Sequence, residues 1–320
     1  MDNQELLARV ASLYYDQELT QADVARRVGV SRSKISRLLK EAREEGIVEI
    51  VINYPWRTSN ALENELQERF GIQHVSVLVG LGRAHDDVLR GLGNLAARYL
   101  ESILKPDVIL GISWGTAVYQ TARALRPELR LAIKVVQMLG AVGASDPLID
   151  GPDLARFLAN LYGGEYHYLH VPLIVEDTAI AEGLMREMHV QQTLDLARKS
   201  DIALVGIGGI PPEVSSFLRA GFLTRSDLRQ LADQGAAGDI CGRLYDINGL
   251  ALDVPVDKRI IGIRLDDLRH IRHVVGVAGG EEKAGAILGA LRGKRVTALI
   301  TDDLAAKRVL SMDSDADQSN

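Results

Sequence analysis

Only one cysteine, Cys241, occurs in the chain, so no internal disulfide can form and no cysteine-based zinc site can be built. A lone thiol fits a reducing compartment. Aromatic residues are scarce at 5%, while Ala, Leu, Val, Ile and Gly are abundant. That bias suits layered helix-and-sheet packing better than a β-sandwich. No apolar run approaches the roughly 18 residues that cross a bilayer. The opening MDNQELLARV is acidic and amphipathic rather than basic and then apolar, so no secretory signal is expected. A cytoplasmic location follows as the expectation. Excess charge is small as well. A net charge of −6 excludes a protein that coats nucleic acid over its whole surface, so any contact with DNA must come from a local basic patch.

What remains is ordinary globular composition, 47% hydrophobic and 25% charged, over 320 residues, a length that predicts two domains. Leu6, Leu7, Val10, Ala11 and Tyr14 share one face of a helix over residues 5–15. Thr20 is placed to cap a second helix with the apolar face Val24, Ala25 and Val28. Gly29 supplies a tight turn. Ser31 is placed to cap a third helix with the inner face Ile35, Leu38, Leu39 and Ala42, which Gly46 ends. IVEIVINY then alternates like the strand of a wing. Leu62, Leu66 and Phe70, spaced four apart, predict an amphipathic linker helix that helps join subunits.

Past Gly71 strands alternate with helices: HVSVLV, DVILGIS, IKVVQML, DIALVGIGG, RIIGIRL, HVVGVAG and VTALIT are the strands. Apolar runs separated by helices imply a parallel sheet covered on both faces, a doubly wound α/β domain. The expected division is a helix-turn-helix domain over 1–54, a linker helix over 55–70, a sensor and oligomerisation domain over 71–311, and a disordered tail over 312–320.

Between residues 26 and 43 stand seven basic side chains, Arg26, Arg27, Arg32, Lys34, Arg37, Lys40 and Arg43, against one acid, Glu41. A capped helix that offers Arg32, Ser33, Ser36 and Arg37 from its first turns can enter the major groove with donors facing base edges. Arg26, Arg27, Lys40 and Arg43 are better placed for phosphates, which fix register without reading sequence, and Ser31 and Lys34 complete the expected DNA-binding face. A merely solvated basic face is the alternative, but helix, glycine turn and capped basic helix occur together at the spacing of a DNA-binding motif.

The second domain carries Gly-rich turns between strands and helices. GISWGTAVYQ brings Gly111, Ser113, Trp114, Gly115 and Thr116 to a helix start, where backbone N–H groups and a hydroxyl favour a phosphate. LVGIGGIPP brings Gly206 and Gly208 to a second turn, and VAGGEEKAG places Lys283 in the first turn of another helix. Such turns also occur for packing alone. In open α/β sheets, however, ligands sit beyond the carboxyl ends of the strands, where these loops can converge.

Several segments together, in order, resemble the SorC/DeoR group of sugar-binding transcriptional regulators. They are LTQADVARRVGVSRSKISRLLKEAREEGIVEI, GISWGT, GDICGRLYDINGL, VDKRIIGIRLDDLR, VAGGEEKAGAI and ALITDD, and they run through almost the whole chain. The resemblance implies a sensor domain similar to sugar-phosphate isomerases and deaminases. It also implies a phosphorylated sugar as effector and a homotetramer on operator DNA. Carried over from that family, Gly115 and Thr116, with Ser113 nearby, are the phosphate loop. Gln137, Asp239 and Lys283 are further effector contacts. Relatives often read Gly-Thr-Thr where this chain has Gly115-Thr116-Ala117, one hydroxyl fewer. Lys134 is read as a surface residue, and the effector is expected to bind without a Schiff base.

An enzyme of the isomerase or deaminase type is the main rival reading. It needs a base and a proton relay beside the phosphate loops. IPPEVSSFL lacks the His/Asn/Glu cluster of the related deaminases, and Glu213 stands alone. Neither GIGGIP nor GISWGT has the spacing of a dinucleotide fingerprint. The pairs His167 with His170 and His270 with His273 lack a third clustered ligand. No catalytic residue, cofactor or metal is therefore expected.

Overall fold

The computed structural model describes residues 3–48, 56–80, 82–143 and 150–317. The chain divides into two compact units, Met1–Pro55 and Trp56–Asn320.

The first unit contains α1 (Asn3–Tyr15), α2 (Gln21–Val28) and α3 (Arg32–Glu44). Its helix ends are fixed locally. Thr20 accepts the Asp23 N–H, Ser31 accepts the Lys34 N–H, and Gly29 closes α2 in the left-handed conformation at φ 76°. The predicted inner faces are the observed ones, with Leu7, Val10, Val24, Ile35, Leu39 and Ala42 at most 3% exposed. Ile47 and Val48 pack on this core. The rest of the expected wing strand, 49–54, lies outside the described residues.

In the second unit the order is α4 (Asn60–Phe70), β1 (His74–Leu78), α5 (His85–Ile103), β2 (Ile109–Ile112), α6 (Thr116–Ala124), β3 (Lys134–Gln137), α7 (Gly151–Tyr162), β4 (Glu165–His167), α8 (Thr178–Arg186) and α9 (Met188–Arg198). Then follow β5 (Ile202–Gly209), α10 (Ser216–Arg219), α11 (Arg225–Asp233), β6 (Ala236–Ile240), β7 (Arg243–Asp246), β8 (His273–Val277), α12 (Ala284–Arg292), β9 (Ala298–Asp302) and α13 (Asp303–Asp317). Seven strands form a parallel sheet in the order β1-β9-β8-β5-β2-β3-β4. Side chains alternate across it: Ala203, Val205 and Ile207 of β5 join the apolar layer under α9 and α12, while Ile202 and Leu204 join the layer under α5, α6 and α7. From the β2–β5 junction the chain order runs outward both ways, β2-β3-β4 to one side and β5-β8-β9 to the other. This is a topological switch point, where the loops leave a crevice.

The structure corrects three expectations and narrows a fourth. The sheet is not wholly parallel, because the β6–β7 hairpin continues β5 antiparallel, Gly208 opposite Asp239. Its two-residue turn is Cys241-Gly242, both at positive φ (52° and 76°), as a type I′ turn requires. RIIGIRL forms only isolated bridges, Leu139 with Gly262 and Ile174 with Ile260. Its carbonyls at Ile260, Gly262 and Ile263 accept the Arg243 guanidinium instead of a neighbouring strand. The apolar face of α4 is turned largely into its own unit, with Leu66 wholly buried and Leu62 and Phe70 half-buried on the same core. Residues 312–317 do not form a tail: they continue α13, and Asp313 is gripped by Arg69 and Arg292.

Candidate functional site

In the first unit, α2 and α3 leave their basic side chains outward. Arg26, Arg27, Arg32, Ser33, Lys34, Ser36, Arg37 and Lys40 are all exposed. Arg26 pairs with Asp23, Arg27 with Gln17 and Lys40 with Glu44. Among the described residues Arg32, Lys34 and Arg37 have no such partner. The Ser31 hydroxyl is engaged as the α3 cap and lies 3.0 Å from the Ser33 hydroxyl. Glu41, the one acid of the stretch, accepts from Asn3 of α1 and so is turned toward the bundle.

In the second unit a narrow crevice with about 40 Å³ of open space lies at the switch point, beyond the carboxyl ends of β2, β5 and β8. Ser113, Trp114, Gly115 and Thr116 line it from β2, Gly206 and Gly208 from β5, Asp239 from the hairpin and Lys283 from the start of α12. Eight of the ten expected contacts thus converge. Gly115 adopts φ 116° with open space where a Cβ would stand, which turns the chain so that the free N–H groups of the first α6 turn face the crevice. Ser113 ties the two phosphate-type loops together, its hydroxyl accepting the Gly206 N–H at 3.1 Å. Trp114 both lines the crevice and packs on the core.

Two expected contacts stand elsewhere. Gly111 is a packing position inside β2, since a Cβ there would lie 2.7 Å from the Ser200 hydroxyl and 2.8 Å from the Met138 sulfur. Gln137 ends β3 away from the crevice, buried, with its carbonyl accepting the Leu169 N–H. Sequence reasoning missed Arg219, an exposed cation of the short α10 that lines the crevice, as do Cys241 and Gly242 in the hairpin turn. The basic end of SSFLR, just beyond the second Gly-rich turn, was the available signal.

Lys283 and Asp239 set the electrostatics of the crevice. Lys283 donates to the Ile207 carbonyl at 3.1 Å, and burial holds its ammonium below the usual lysine range. Asp239 is buried, one carboxylate oxygen without a hydrogen-bond partner among the described residues, and burial raises it to about 6 against the pull of Lys283. The Cys241 thiol is pushed up to about 12, again by burial, so it stays protonated.

Because the folded state holds the Asp239 proton more tightly than the unfolded chain, its contribution is fully present below about pH 4 and lost as pH rises through 6. The ionised wild type should therefore be about 3 kcal/mol less stable, relative to Asp239→Asn, at pH 7.5 than at pH 4. Urea unfolding of both proteins across that window checks this, and a pH-independent difference would contradict it.

His170 lies edge-on against Tyr168 and His167 stands 3.8 Å from Glu165. Among the described residues no group of three or more His, Cys, Asp or Glu could hold a metal ion.

Residues 54–311 match the family described as "Putative sugar-binding domain", and residues 11–49 match a winged helix-turn-helix DNA-binding family. The sorbitol operon regulator of Klebsiella pneumoniae is 34% identical over 316 residues, covering 97% of this chain and 98% of that protein. The transcriptional regulator LsrR of Klebsiella pneumoniae subsp. pneumoniae is 35% identical over 314 residues, covering 97% and 94%. The crystal structure of the full-length Klebsiella pneumoniae sorbitol operon regulator, SorC, superposes with a TM-score of 0.72 at 32% identity, covering 97% of this chain and all of that one. A basic helix-turn-helix and a switch-point crevice in one chain, matched end to end by these relatives, place this protein in the SorC family of sugar-binding, DNA-binding transcriptional regulators.

Proposed function

We propose that this regulator responds to a phosphorylated sugar held in the switch-point crevice, and that occupancy changes its affinity for operator DNA. The observation that carries the reading is the convergence, in one crevice, of the α6 N-terminus with the cations Lys283 and Arg219. Free N–H groups at a helix start and a partly desolvated ammonium suit a dianionic phosphate, while Asp239 and Ser113 suit sugar hydroxyls. Trp114, partly exposed at the crevice, offers a flat apolar face on which a sugar ring can stack.

The name of the Klebsiella relative makes sorbitol 6-phosphate the first probe, with ribose 5-phosphate beside it. At a hundred times the dissociation constant, a ligand of the folded state adds about 2.7 kcal/mol to stability. The melting temperature of the full chain should then rise by roughly 5–10 °C with the phosphorylated sugar and hardly at all with the parent sugar. A rise with sorbitol or ribose but none with their phosphates would overturn the phosphate reading.

DNA recognition is proposed for the exposed face of α3. Arg37→Ala should cost about 1–3 kcal/mol on a specific site and relax the base preference there. Lys40→Ala should weaken specific and random duplexes alike and lower the salt slope by about one. Binding titrations at several salt concentrations separate the two, and equal losses on both duplexes for both variants would contradict the division.

One helix-turn-helix reads too few base pairs for a regulator's specificity, so at least a dimer on paired half-sites is proposed, with a tetramer the assembly that the family resemblance implies. A cytoplasmic, non-enzymatic protein fits these partners. Among the described residues no helix is long and apolar enough to cross a membrane. Glu213, the acid that follows the second Gly-rich turn in sequence, is exposed and paired with Arg225, poorly placed to act as a base.

A further inference from the structure

The segment ALITDD stands outside the crevice, yet its two carboxylates are almost wholly buried, Asp302 at 3% and Asp303 at 4% exposure. They end β9 and begin α13, and they face different parts of the molecule. Asp302 Oδ2 accepts the Gly280 N–H at 2.6 Å, while its Oδ1 accepts the N–H groups of Leu304 and Ala305. Gly280 opens the turn that carries Lys283, whose own N–H donates back to the Gly280 carbonyl. The fit leaves no slack, because a Cβ on Gly279 would run into the Asp302 carboxylate. Asp302 therefore fixes the loop that presents the crevice's lysine.

Asp303 faces the other way. Its Oδ1 accepts the Gly80 N–H at 2.9 Å, at the end of β1. There the chain that has just left the DNA-binding unit lies along the sheet edge. The Val79 N–H donates to the Arg57 carbonyl at 2.8 Å, the Ser59 N–H to the Val77 carbonyl at 2.9 Å, and Thr58 bridges Leu78 antiparallel. Trp56, the first residue of the second unit, lies under Arg83 at 5.0 Å and against Gly91, where a Cβ would stand 2.9 Å from its ring. From Lys283 to Arg57 one short series of hydrogen bonds, Lys283 to Gly280, Gly280 to Asp302, Gly80 to Asp303 and Val79 to Arg57, is linked by chain neighbours at the ends of β9 and β1.

We infer that Asp302 and Asp303 are positioning residues that couple the crevice to residues 56–59, so that a ligand gripping Lys283 is felt where the chain leaves for the DNA-binding unit. The inference rests on the crevice being the effector site. Lys283 now donates to Ile207, so a phosphate that recruits its ammonium shifts the 280–283 turn. Asp302 moves with Gly280, and Asp303, the next residue, moves Gly80 and the edge that holds Arg57. A ligand alters an equilibrium only through interactions that differ between its two states, and this hydrogen-bonded strand end is the bistable part.

Amide hydrogen exchange on the full chain tests the coupling, with sorbitol 6-phosphate, ribose 5-phosphate and inorganic phosphate as probes. Bound probe should slow exchange at 206–208 and 280–283 and change it by roughly tenfold at Ser59, Val79 and Gly80, well away from the crevice. Slowing confined to the crevice loops overturns the coupling and leaves the effector site standing. No slowing anywhere with any probe overturns the phosphate reading and the coupling with it. Asp303→Ala should keep probe affinity within about twofold while its DNA affinity, which in the wild type changes roughly tenfold or more on adding probe, becomes nearly indifferent to it. Lys307→Ala, which removes only the exposed ion pair of Asp303, should respond like the wild type. An Asp303→Ala protein with the full wild-type response overturns the inference.

Discussion

Replacing Lys283 by methionine is expected to abolish the effector response while leaving DNA binding in place. Methionine keeps the length and apolar stem of the lysine, so the start of α12 remains filled. What goes is the buried member of the two cations, Lys283 and Arg219, that line the crevice among the described residues. A charge-assisted bond to phosphate contributes about 1.5–3 kcal/mol, so the dissociation constant should rise roughly 10- to 150-fold. Without the lysine Asp239 loses the charge that draws its carboxyl down, and it takes up a proton more readily near neutrality. The fold therefore survives, because no uncompensated charge need stay buried. Calorimetric titration of the variant with sorbitol 6-phosphate or ribose 5-phosphate measures the loss. Wild-type affinity would place the phosphate elsewhere.

Arg243→Met should give the largest loss of stability. The guanidinium is 9% exposed and donates to the carbonyls of Ile263 (3.0 Å), Asp257 (2.7 Å), Ile260 (3.2 Å) and Gly262 (3.2 Å), and to the Asp257 carboxylate at 3.1 Å. Methionine fills the space but leaves those acceptors without a donor and Asp257 without its counter-charge. Breaking one side of such a buried pair costs about 3–5 kcal/mol. The urea midpoint should fall accordingly with the slope unchanged. Arg243→Lys should recover only part of the loss, because an ammonium cannot reproduce the planar fork that reaches several carbonyls at once. A loss under about 1 kcal/mol for the methionine variant would contradict this reading, given that an ordinary surface change stays within about half that.

How far the molecule is legible in its sequence depends on how local the cause is. The capped helices α2 and α3 were readable to within a residue or two, because Thr20, Gly29 and Ser31 act on their immediate neighbours. Six of the seven parallel strands were readable from apolar runs buried on both faces, whereas the polar, exposed β4 at the sheet edge was not. The β6–β7 hairpin was not: its short GDICGRLYD segment alternates weakly and is held by pairing with the far end of β5. RIIGIRL reads as a strand by its apolar content, yet a single arginine elsewhere in the chain takes its carbonyls. The acidic SMDSD reads as a tail because neither arginine that holds Asp313 is a near neighbour: Arg69 lies 244 residues upstream and Arg292 lies 21.

The site shows the same division. Loop glycines with an adjacent hydroxyl or lysine pointed to the right crevice, since the fold brings strand ends together. Gln137 and Gly111 were placed there by resemblance and by loop pattern, but Gln137 is buried with its carbonyl taken by the Leu169 N–H, and Gly111 faces Ser200 and Met138. Arg219 escaped notice because only the fold of α10 carries it to the crevice mouth.

The central claim is that a sugar phosphate in the switch-point crevice governs DNA affinity. A labelled fragment of the DNA upstream of the protein's own gene, titrated with the full chain, tests it most directly. The titration is run with and without whichever of sorbitol 6-phosphate and ribose 5-phosphate raises the melting temperature more. A change of roughly tenfold or more in DNA affinity, absent in Lys283→Met and absent with the unphosphorylated sugar, is the expected result. The same DNA affinity with and without a sugar phosphate that demonstrably binds would contradict the claim.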